Sequence, residues 1–162
     1  MKQMLAIAMV VSMAAIASPV AGASGPTAEP LSFPAGVAPS EVRRWMRNDT
    51  TWDIATAQPN LYGAPWVMHE VLGWVSTQAF ANSHPLYACA RASHPYDMFT
   101  SAFAHCEGGN RVTPNLLGYV SSSQIAGTVP MYRCVAGKNE FDSLASNCEG
   151  HVMVGTLGYI FR

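Results

Sequence analysis

Apolar and polar side chains alternate over short stretches in the second half of the chain. Tyr96 to Thr100 alternates in this way, and Leu86 to Arg91 is rich in residues that favour strands. Beyond residue 23, no segment keeps an apolar stripe at helical spacing over three turns. The pattern therefore predicts an all-β domain built from short strands.

The phrase Leu-Gly-aromatic-aliphatic occurs three times and indicates an internal triplication. Its copies are Leu72–Val75, Leu117–Val120 and Leu157–Ile160. A second phrase, Pro-x-Tyr-x-Cys, precedes two of them, at Pro85–Cys89 and at Pro130–Cys134. The chain is therefore predicted to consist of three copies of one small unit.

Each unit is predicted to be a three- or four-stranded antiparallel meander. Because a meander of this size cannot bury its apolar face alone, units 41–84, 85–129 and 130–162 should share one core. We expect a closed pseudo-threefold arrangement resembling a β-trefoil, with a short three-bladed stack as the alternative. The Gly of each Leu-Gly phrase marks either a β-bulge or a close backbone approach.

The leading phrases also set a register between the units. Cys89 and Cys134 align with Trp45 of the diverged first unit. Eight residues after those cysteines stand Asp97 and Asp142, each preceded by an aromatic residue. This register predicts that the two aspartates occupy equivalent places.

The four cysteines all lie in the repeated region and predict two disulfides. Zinc sites favour cysteines two to four residues apart, whereas these are separated by 17, 28 and 14 positions. Each of the two later units has one cysteine in its leading phrase and one in a Cys-Glu-Gly phrase. The predicted bonds are therefore Cys89–Cys106 and Cys134–Cys148.

The N-terminal residues predict export. Lys2, an apolar run and a small-residue triplet ending at Ala23 are typical of a signal peptide over residues 1–23. Residues 24–40 are rich in Pro, Gly, Ala and Ser and are predicted to be a linker. A single domain should then occupy 41–162, in a secreted or periplasmic protein.

The charge balance argues against two classes of partner. The full sequence has a net charge of −1, and removal of Lys2 with the signal peptide makes it −2. We therefore expect neither a nucleic-acid partner nor binding to anionic lipid. The apolar run is too short to span a bilayer, so we expect no membrane anchor.

Few residues indicate catalysis. A His/carboxylate cluster could form from His94, Asp97, His105 and Glu107. Only Asp97 and Glu107 recur, as Asp142 and Glu149, and recurrence favours structural roles, in which each glutamate accepts backbone N–H bonds. Ser121–Ser123 are interpreted as a connector between strands. No phosphate-binding Gly-rich loop occurs, so no cofactor is expected. The cysteine spacing disfavours zinc, and Asp49, Thr51 and Asp53 lack the closing acidic ligand of a Ca²⁺ loop, so no metal is expected.

Candidate binding residues lie in the two better-preserved units. They are Tyr96, Asp97, Arg133, Phe141 and Asp142. Aromatic rings stack on sugars, and Asp and Arg side chains hydrogen-bond to sugar hydroxyls. The competing interpretation places the rings in the core and makes the aspartates loop caps.

The units resemble a repeat family of unknown function in secreted bacterial proteins. Residues 130–160 match its pattern best, as PMYRC, EFDSLASNCEG and TLGYI. The resemblance implies an extracellular accessory or binding role. The predicted function is therefore a secreted, non-catalytic binding module for an extracellular glycan or surface protein. The alternative is a small secreted hydrolase, or a protease inhibitor that presents the loop His94–Ser101.

Overall fold

The computed structural model of the protein describes residues 31–48, 54–57, 65–91, 94–109 and 115–162. The predicted signal peptide lies outside these residues. Nine strands run through the described residues: β1 (Pro39–Arg47), β2 (Ile54–Ala57), β3 (Trp66–Ser76), β4 (Ser83–Arg91), β5 (His94–Ser101), β6 (Asn115–Ser121), β7 (Thr128–Ala136), β8 (Asn139–Ser143) and β9 (Val152–Phe161). The all-β prediction is confirmed.

The strands form three antiparallel triplets that follow the predicted units. Their orders are β2-β1-β3, β5-β4-β6 and β8-β7-β9. The meander prediction is wrong, because the first strand of each unit, not the second, is central. That strand is rich in buried residues, as in β4, where Leu86, Ala88, Cys89 and Ala90 are all buried. A central place satisfies the backbone hydrogen bonds on both of its edges.

Each Leu-Gly phrase forms a β-bulge. Along β1 and β3 the pairing passes from Val71 to Gly73, so that Leu72 has no opposite residue. Leu117 and Leu157 are skipped in the same way. All three leucine side chains are at most 8% exposed. The bulge therefore adds one residue to the strand and turns its side chain into the core.

The glycine after each bulged leucine also allows a close backbone approach. Gly73, Gly118 and Gly158 have φ values of 150°, 143° and 140°. A Cβ on Gly118 would lie 2.7 Å from the carbonyl oxygen of Ser76 in a neighbouring unit. Both sequence-based interpretations of these glycines, as bulge and as close approach, are therefore confirmed.

The third strands of the units pair with one another. The pairs are Ser76 with Tyr119, Ser121 with Tyr159, and Phe161 with Trp74. In every pair, the aromatic residue of one Leu-Gly phrase lies opposite the residue two positions beyond the aromatic of another. The same contact therefore recurs between each two of β3, β6 and β9.

The main core is built from equivalent positions of the three units. It contains Val42, Leu86 and Met131, the three bulged leucines, the aliphatic residues Val75, Val120 and Ile160, and Ala88. Each unit thus supplies three equivalent apolar side chains to one shared cluster, and the second unit adds Ala88. This sharing explains why a single unit would have too little apolar surface to fold alone.

The predicted disulfides are confirmed. Cys89 is bonded to Cys106 and Cys134 to Cys148, with Cα–Cα distances of 5.8 and 5.7 Å. Each bond ties a central strand to a short turn, and each packs against a buried phenylalanine of the same unit. Each later unit therefore has a small satellite core of its own.

The folded domain includes residues before 41. The ring of Phe33 packs edge-on against Trp74 and Phe161, at centroid distances of 6.5 and 5.6 Å. The first strand begins at Pro39. The end of the predicted linker is therefore part of the fold, because Phe33 supplies an apolar side chain that its Pro-rich surroundings obscure.

Among the residues that the structure describes, no helix is long and apolar enough to cross a membrane.

Candidate functional site

The hairpins of the second and third units differ in length. Phe99 lies opposite Cys89, whereas Phe141 lies opposite Cys134. The second-unit hairpin is therefore three residues longer, since 99 − 89 is 10 and 141 − 134 is 7. Counting residues from the cysteines consequently misaligns everything beyond the turn.

The predicted equivalence of Asp97 and Asp142 is therefore wrong. Strand pairing puts Asp142 opposite Arg133 and Thr100 opposite Ala88, so Thr100 is the counterpart of Asp142. Asp97 lies nearer the turn, where its carboxylate forms an ion pair with Arg91 at 2.7 Å.

Asp142 is buried where the second strands of the units meet. It is 1% exposed, and Thr56 and Thr100, its counterparts in the other units, are 6% and 2% exposed. The Thr100 hydroxyl donates a hydrogen bond to Oδ2 of Asp142. Burial raises the pKa of Asp142 to about 6, although hydrogen bonds from the two threonines pull the pKa down. A ligand on the surface cannot reach this carboxyl group without a rearrangement.

The Cys-Glu-Gly phrases form left-handed turns. φ is 48°, 57° and 81° at Cys106, Glu107 and Gly108. It is 49°, 56° and 90° at the three residues of the third unit's phrase. Left-handed conformations are costly for residues other than glycine and persist only when the surroundings hold them. The disulfide fixes the cysteine of each turn, which leaves the glutamate to be held by its own contacts.

Both of these glutamates accept hydrogen bonds from side chains. Ser101 Oγ lies 3.0 Å from Glu107 Oε1, and Ser143 Oγ lies 2.7 Å from Glu149 Oε1. The sequence-based interpretation gave both glutamates backbone N–H donors. The observed partners are instead serines at the ends of β5 and β8.

An arginine of another unit completes each glutamate contact. Arg133 of the third unit lies 2.6 Å from Glu107, and Arg44 of the first unit lies 2.7 Å from Glu149. The hydrogen bond from Arg44 is the main cause that lowers the pKa of Glu149. Burial works to lower the pKa of Arg133, but hydrogen bonds to Glu140 and Glu107 outweigh it and raise the pKa. An equivalent arginine–glutamate link therefore joins the second unit to the third and the third unit to the first.

The same arginines lie over buried aromatic rings. The guanidinium of Arg133 is 4.6 Å from the ring centroid of Phe99, and that of Arg44 is 5.6 Å from the centroid of Phe141. These distances are within the range of cation–π attraction. Phe99 and Phe141 are equivalent, so the arrangement of arginine, glutamate and phenylalanine is repeated at the two junctions.

A cleft of about 410 Å³ opens at the junction of the second and third units. It is lined by His84, Ser101, Ala102, Phe103, Glu107, Ser122, Arg133 and residues 154–159. We call it the larger cleft. Phe103 stands at its edge with 56% of its surface exposed and stacks on His105 at 5.4 Å.

A second cleft, of about 290 Å³, lies at the junction of the third and first units. Its lining is Arg44, Met46, His69, Ala136, Asn139, Phe141, Glu149 and His151. We call it the smaller cleft. Arg44 and Glu149 are the counterparts of Arg133 and Glu107 in the larger cleft. Each cleft is therefore lined by its own copy of the arginine–glutamate link.

The predicted binding residues are distributed over different environments. Arg133 lines the larger cleft, and Phe141 lines the smaller one while remaining only 5% exposed. Asp142 is in the interior, and Asp97 is paired with Arg91. The side chain of Tyr96 lies outside the described part of the structure. The five residues therefore do not form one binding surface.

Sequence reasoning missed several residues that line the clefts. Arg44 could have been found, because the register that aligns Trp45 with Cys134 also aligns Arg44 with Arg133. His84 and Phe103 gave no signal, because neither residue type recurs at the equivalent positions of the other units.

The described members of the candidate His/carboxylate cluster do not come together around Glu107. That glutamate contacts Arg133 and Ser101, while His105 is exposed and stacks on Phe103. The side chain of His94 is not among those described. Within the described ranges, no three His, Cys, Asp or Glu side chains are placed to hold a metal ion.

Comparisons with protein-family models, with curated proteins and with solved structures found no significant match to this chain.

Proposed function

We propose that the protein is a secreted binding module that recognises a glycan or another extracellular surface through the larger cleft. The observation that supports this most is the lining of that cleft. Hydroxyl, imidazole and guanidinium groups of Ser122, His84 and Arg133 lie there beside the rings of Phe103 and Tyr159. Sugars present hydroxyl groups at their edges and C–H groups on their faces, and this mixture of side chains is complementary to both.

The exposure of Phe103 is a second argument for binding. A phenylalanine ring that is 56% exposed at the edge of a cleft leaves apolar surface in contact with water. Its stacking on His105 holds the ring in one orientation. Such a fixed ring can receive the apolar face of a sugar at little cost in side-chain entropy.

The threefold organisation is part of the proposal. We infer a closed, pseudo-threefold, trefoil-like arrangement of the units from two repeated contacts. One is the pairing among β3, β6 and β9, and the other is the arginine–glutamate link, in which each arginine reaches a turn of another unit. The likeness to the secreted bacterial repeat family agrees with this proposal and remains a prediction.

Export is proposed on two grounds. The four cysteines form two disulfides, which persist in oxidising compartments. The sequence also begins with the features of a signal peptide. The inhibitor alternative receives no support from the structure, because His94–Ser101 is a strand paired with β4 instead of a protruding loop.

A glycan-array screen with two matched variants tests the proposed function. Phe103→Ala removes the ring at the larger cleft, while Val67→Ala shortens a side chain with 49% exposure that does not line either cleft. We expect Phe103→Ala to weaken binding about tenfold or more and Val67→Ala to leave it unchanged. Equal binding by both variants, or no glycan retained by the unchanged protein, would count against the proposal.

A further inference from the structure

The larger cleft contains a serine hydroxyl in contact with a histidine. Ser122 Oγ lies 2.9 Å from Nδ1 of His84. The other ring nitrogen, Nε2, lies 2.8 Å from the carbonyl oxygen of Leu157. Ser122 is exposed, while His84 is partly buried. The hydroxyl is therefore accessible from solvent and its partner is held in place.

The carbonyl determines which nitrogen of His84 has the proton. A carbonyl oxygen can only accept, so in the neutral ring Nε2 must donate to Leu157 and Nδ1 must have the lone pair. The Ser122 hydroxyl then donates to Nδ1. A nucleophile, a base and a group that orients the base are the parts that activate a serine.

The bulge of the third unit provides the carbonyl. Leu157 is the residue without an opposite partner on β7, so its carbonyl needs a donor from elsewhere. In the first unit the equivalent carbonyl, that of Leu72, accepts from the Arg162 guanidinium at 3.0 Å. A side chain other than histidine can therefore donate the hydrogen bond to this carbonyl. At the larger cleft the donor is His84, which can also act as a base, and it lies beside the Ser122 hydroxyl.

Gly158 gives the imidazole its space. A Cβ at this position would lie 3.0 Å from Cε1 of His84. The ring is thus packed on the glycine that follows the bulged leucine. The same bulge supplies both the oriented acceptor and the surface on which the base rests.

We propose that Ser122 is a nucleophile, activated by His84, that attacks small acyl esters entering the larger cleft. Ser122 Oγ forms a bond to the ester carbonyl carbon while its proton passes to Nδ1 of His84. The carbon–oxygen bond to the alcohol then breaks, and the alcohol leaves with that proton. Water attacks the acyl-serine in the same manner and releases the carboxylic acid and the free hydroxyl. This proposal stands independently of whether the cleft binds a glycan.

The test uses the full chain with both disulfides formed, incubated with p-nitrophenyl acetate and, separately, with a fluorophosphonate. We expect one covalent label per chain, located on Ser122 by peptide mapping, and nitrophenol release that Ser122→Ala abolishes. Ser123→Ala removes a neighbouring exposed hydroxyl and should change neither result. A label spread over both serines would overturn the proposal.

His84→Gln separates activation from structure. The amide of glutamine can still donate to the Leu157 carbonyl but cannot take a proton from Ser122. We expect labelling at least about tenfold slower, with a melting temperature close to that of the unchanged chain. Labelling at the original rate would show that His84 only caps the carbonyl and would overturn the proposal.

Discussion

A single glutamate in each Cys-Glu-Gly turn joins two units. Glu107 and Glu149 each accept from a serine of their own unit and from an arginine of another. The turn is left-handed at the glutamate itself, and the carboxylate contacts both its own unit and another. At the scale of one residue, an unfavourable backbone conformation therefore accompanies a contact between units.

Glu149→Gln should destabilise the domain at neutral pH. It removes one of the two negative charges that Arg44, itself 5% exposed, contacts, and Glu70 supplies the other. Because Glu149 is 42% exposed, solvent screening limits the expected loss to about 1 kcal/mol. The pKa of Glu149 is lowered, so this stabilisation is present above its ordinary pKa and is lost as the pH falls through the lowered value.

Urea unfolding at neutral and acidic pH measures this effect. Glu41→Gln is the matched control, since Glu41 pairs with Arg43 of its own strand and links no units. An equal loss in both variants would show that the link between units has no special weight.

Asp142→Asn should stabilise the domain at about pH 8. The pKa of Asp142 is raised to about 6, so the folded state binds a proton more tightly than the unfolded chain. The contribution of Asp142 to stability should therefore be greatest below about pH 4, fall between about pH 4 and 6, and remain lower by roughly 3 kcal/mol above that window. The asparagine variant lacks the titrating group and should not show this fall.

Melting temperatures of both proteins from about pH 3 to 8 test this prediction. Parallel pH profiles for the two proteins would mean that Asp142 does not titrate in this window. If the asparagine variant is less stable at every pH, the hydrogen bonds that Asp142 accepts stabilise the domain by more than the burial of its charge destabilises it.

The Leu-Gly bulge is the structural element that all three units share. It buries a leucine that regular pairing would direct away from the core, and its glycine allows another strand to approach. In the first and third units, the extra residue also leaves the leucine carbonyl without a partner on the central strand. That carbonyl is capped by Arg162 in the first unit and by His84 in the third.

Gly118→Ala should be strongly destabilising. The new Cβ would lie 2.7 Å from the Ser76 carbonyl oxygen and 2.5 Å from Val75 Cγ2, at a φ of 143°. Strain and the clash together should cost about 2–4 kcal/mol in the free energy of unfolding. A Cβ added at Gly155 on β9 would have no neighbour within 4 Å, so Gly155→Ala should change stability by less than about 0.5 kcal/mol. Similar losses for the two variants would contradict the close approach.

Sequence patterns predicted the elements better than their order. Repeated phrases located the bulges and gave the disulfide pairing, because each depends on residues close together within one unit. The place of β1, β4 and β7 at the centre of their sheets was not predicted, since alternation shows which face is buried and not which strands are neighbours. The three extra residues in the second hairpin shifted Asp97 out of register, because spacing alone does not show where a turn begins.

At the scale of the whole molecule, both clefts and the arginine–glutamate links of the Cys-Glu-Gly turns form between units. The larger cleft combines Glu107 of the second unit with Arg133 of the third, and the smaller one combines Glu149 of the third with Arg44 of the first. Ala88 stands at the position of these arginines in the second unit, where it cannot form the link. Patterns read along one unit could not predict sites that two units share.

The central claim is that the larger cleft receives the ligand. The most direct measurement is NMR mapping of the isotope-labelled full chain, titrated with a glycan retained in the array screen. We expect the largest concentration-dependent shift changes at Phe103, Ser122 and Tyr159, with little change at Val67. Changes centred on Val67, or saturable binding that leaves all three cleft residues unshifted, would contradict the proposed site.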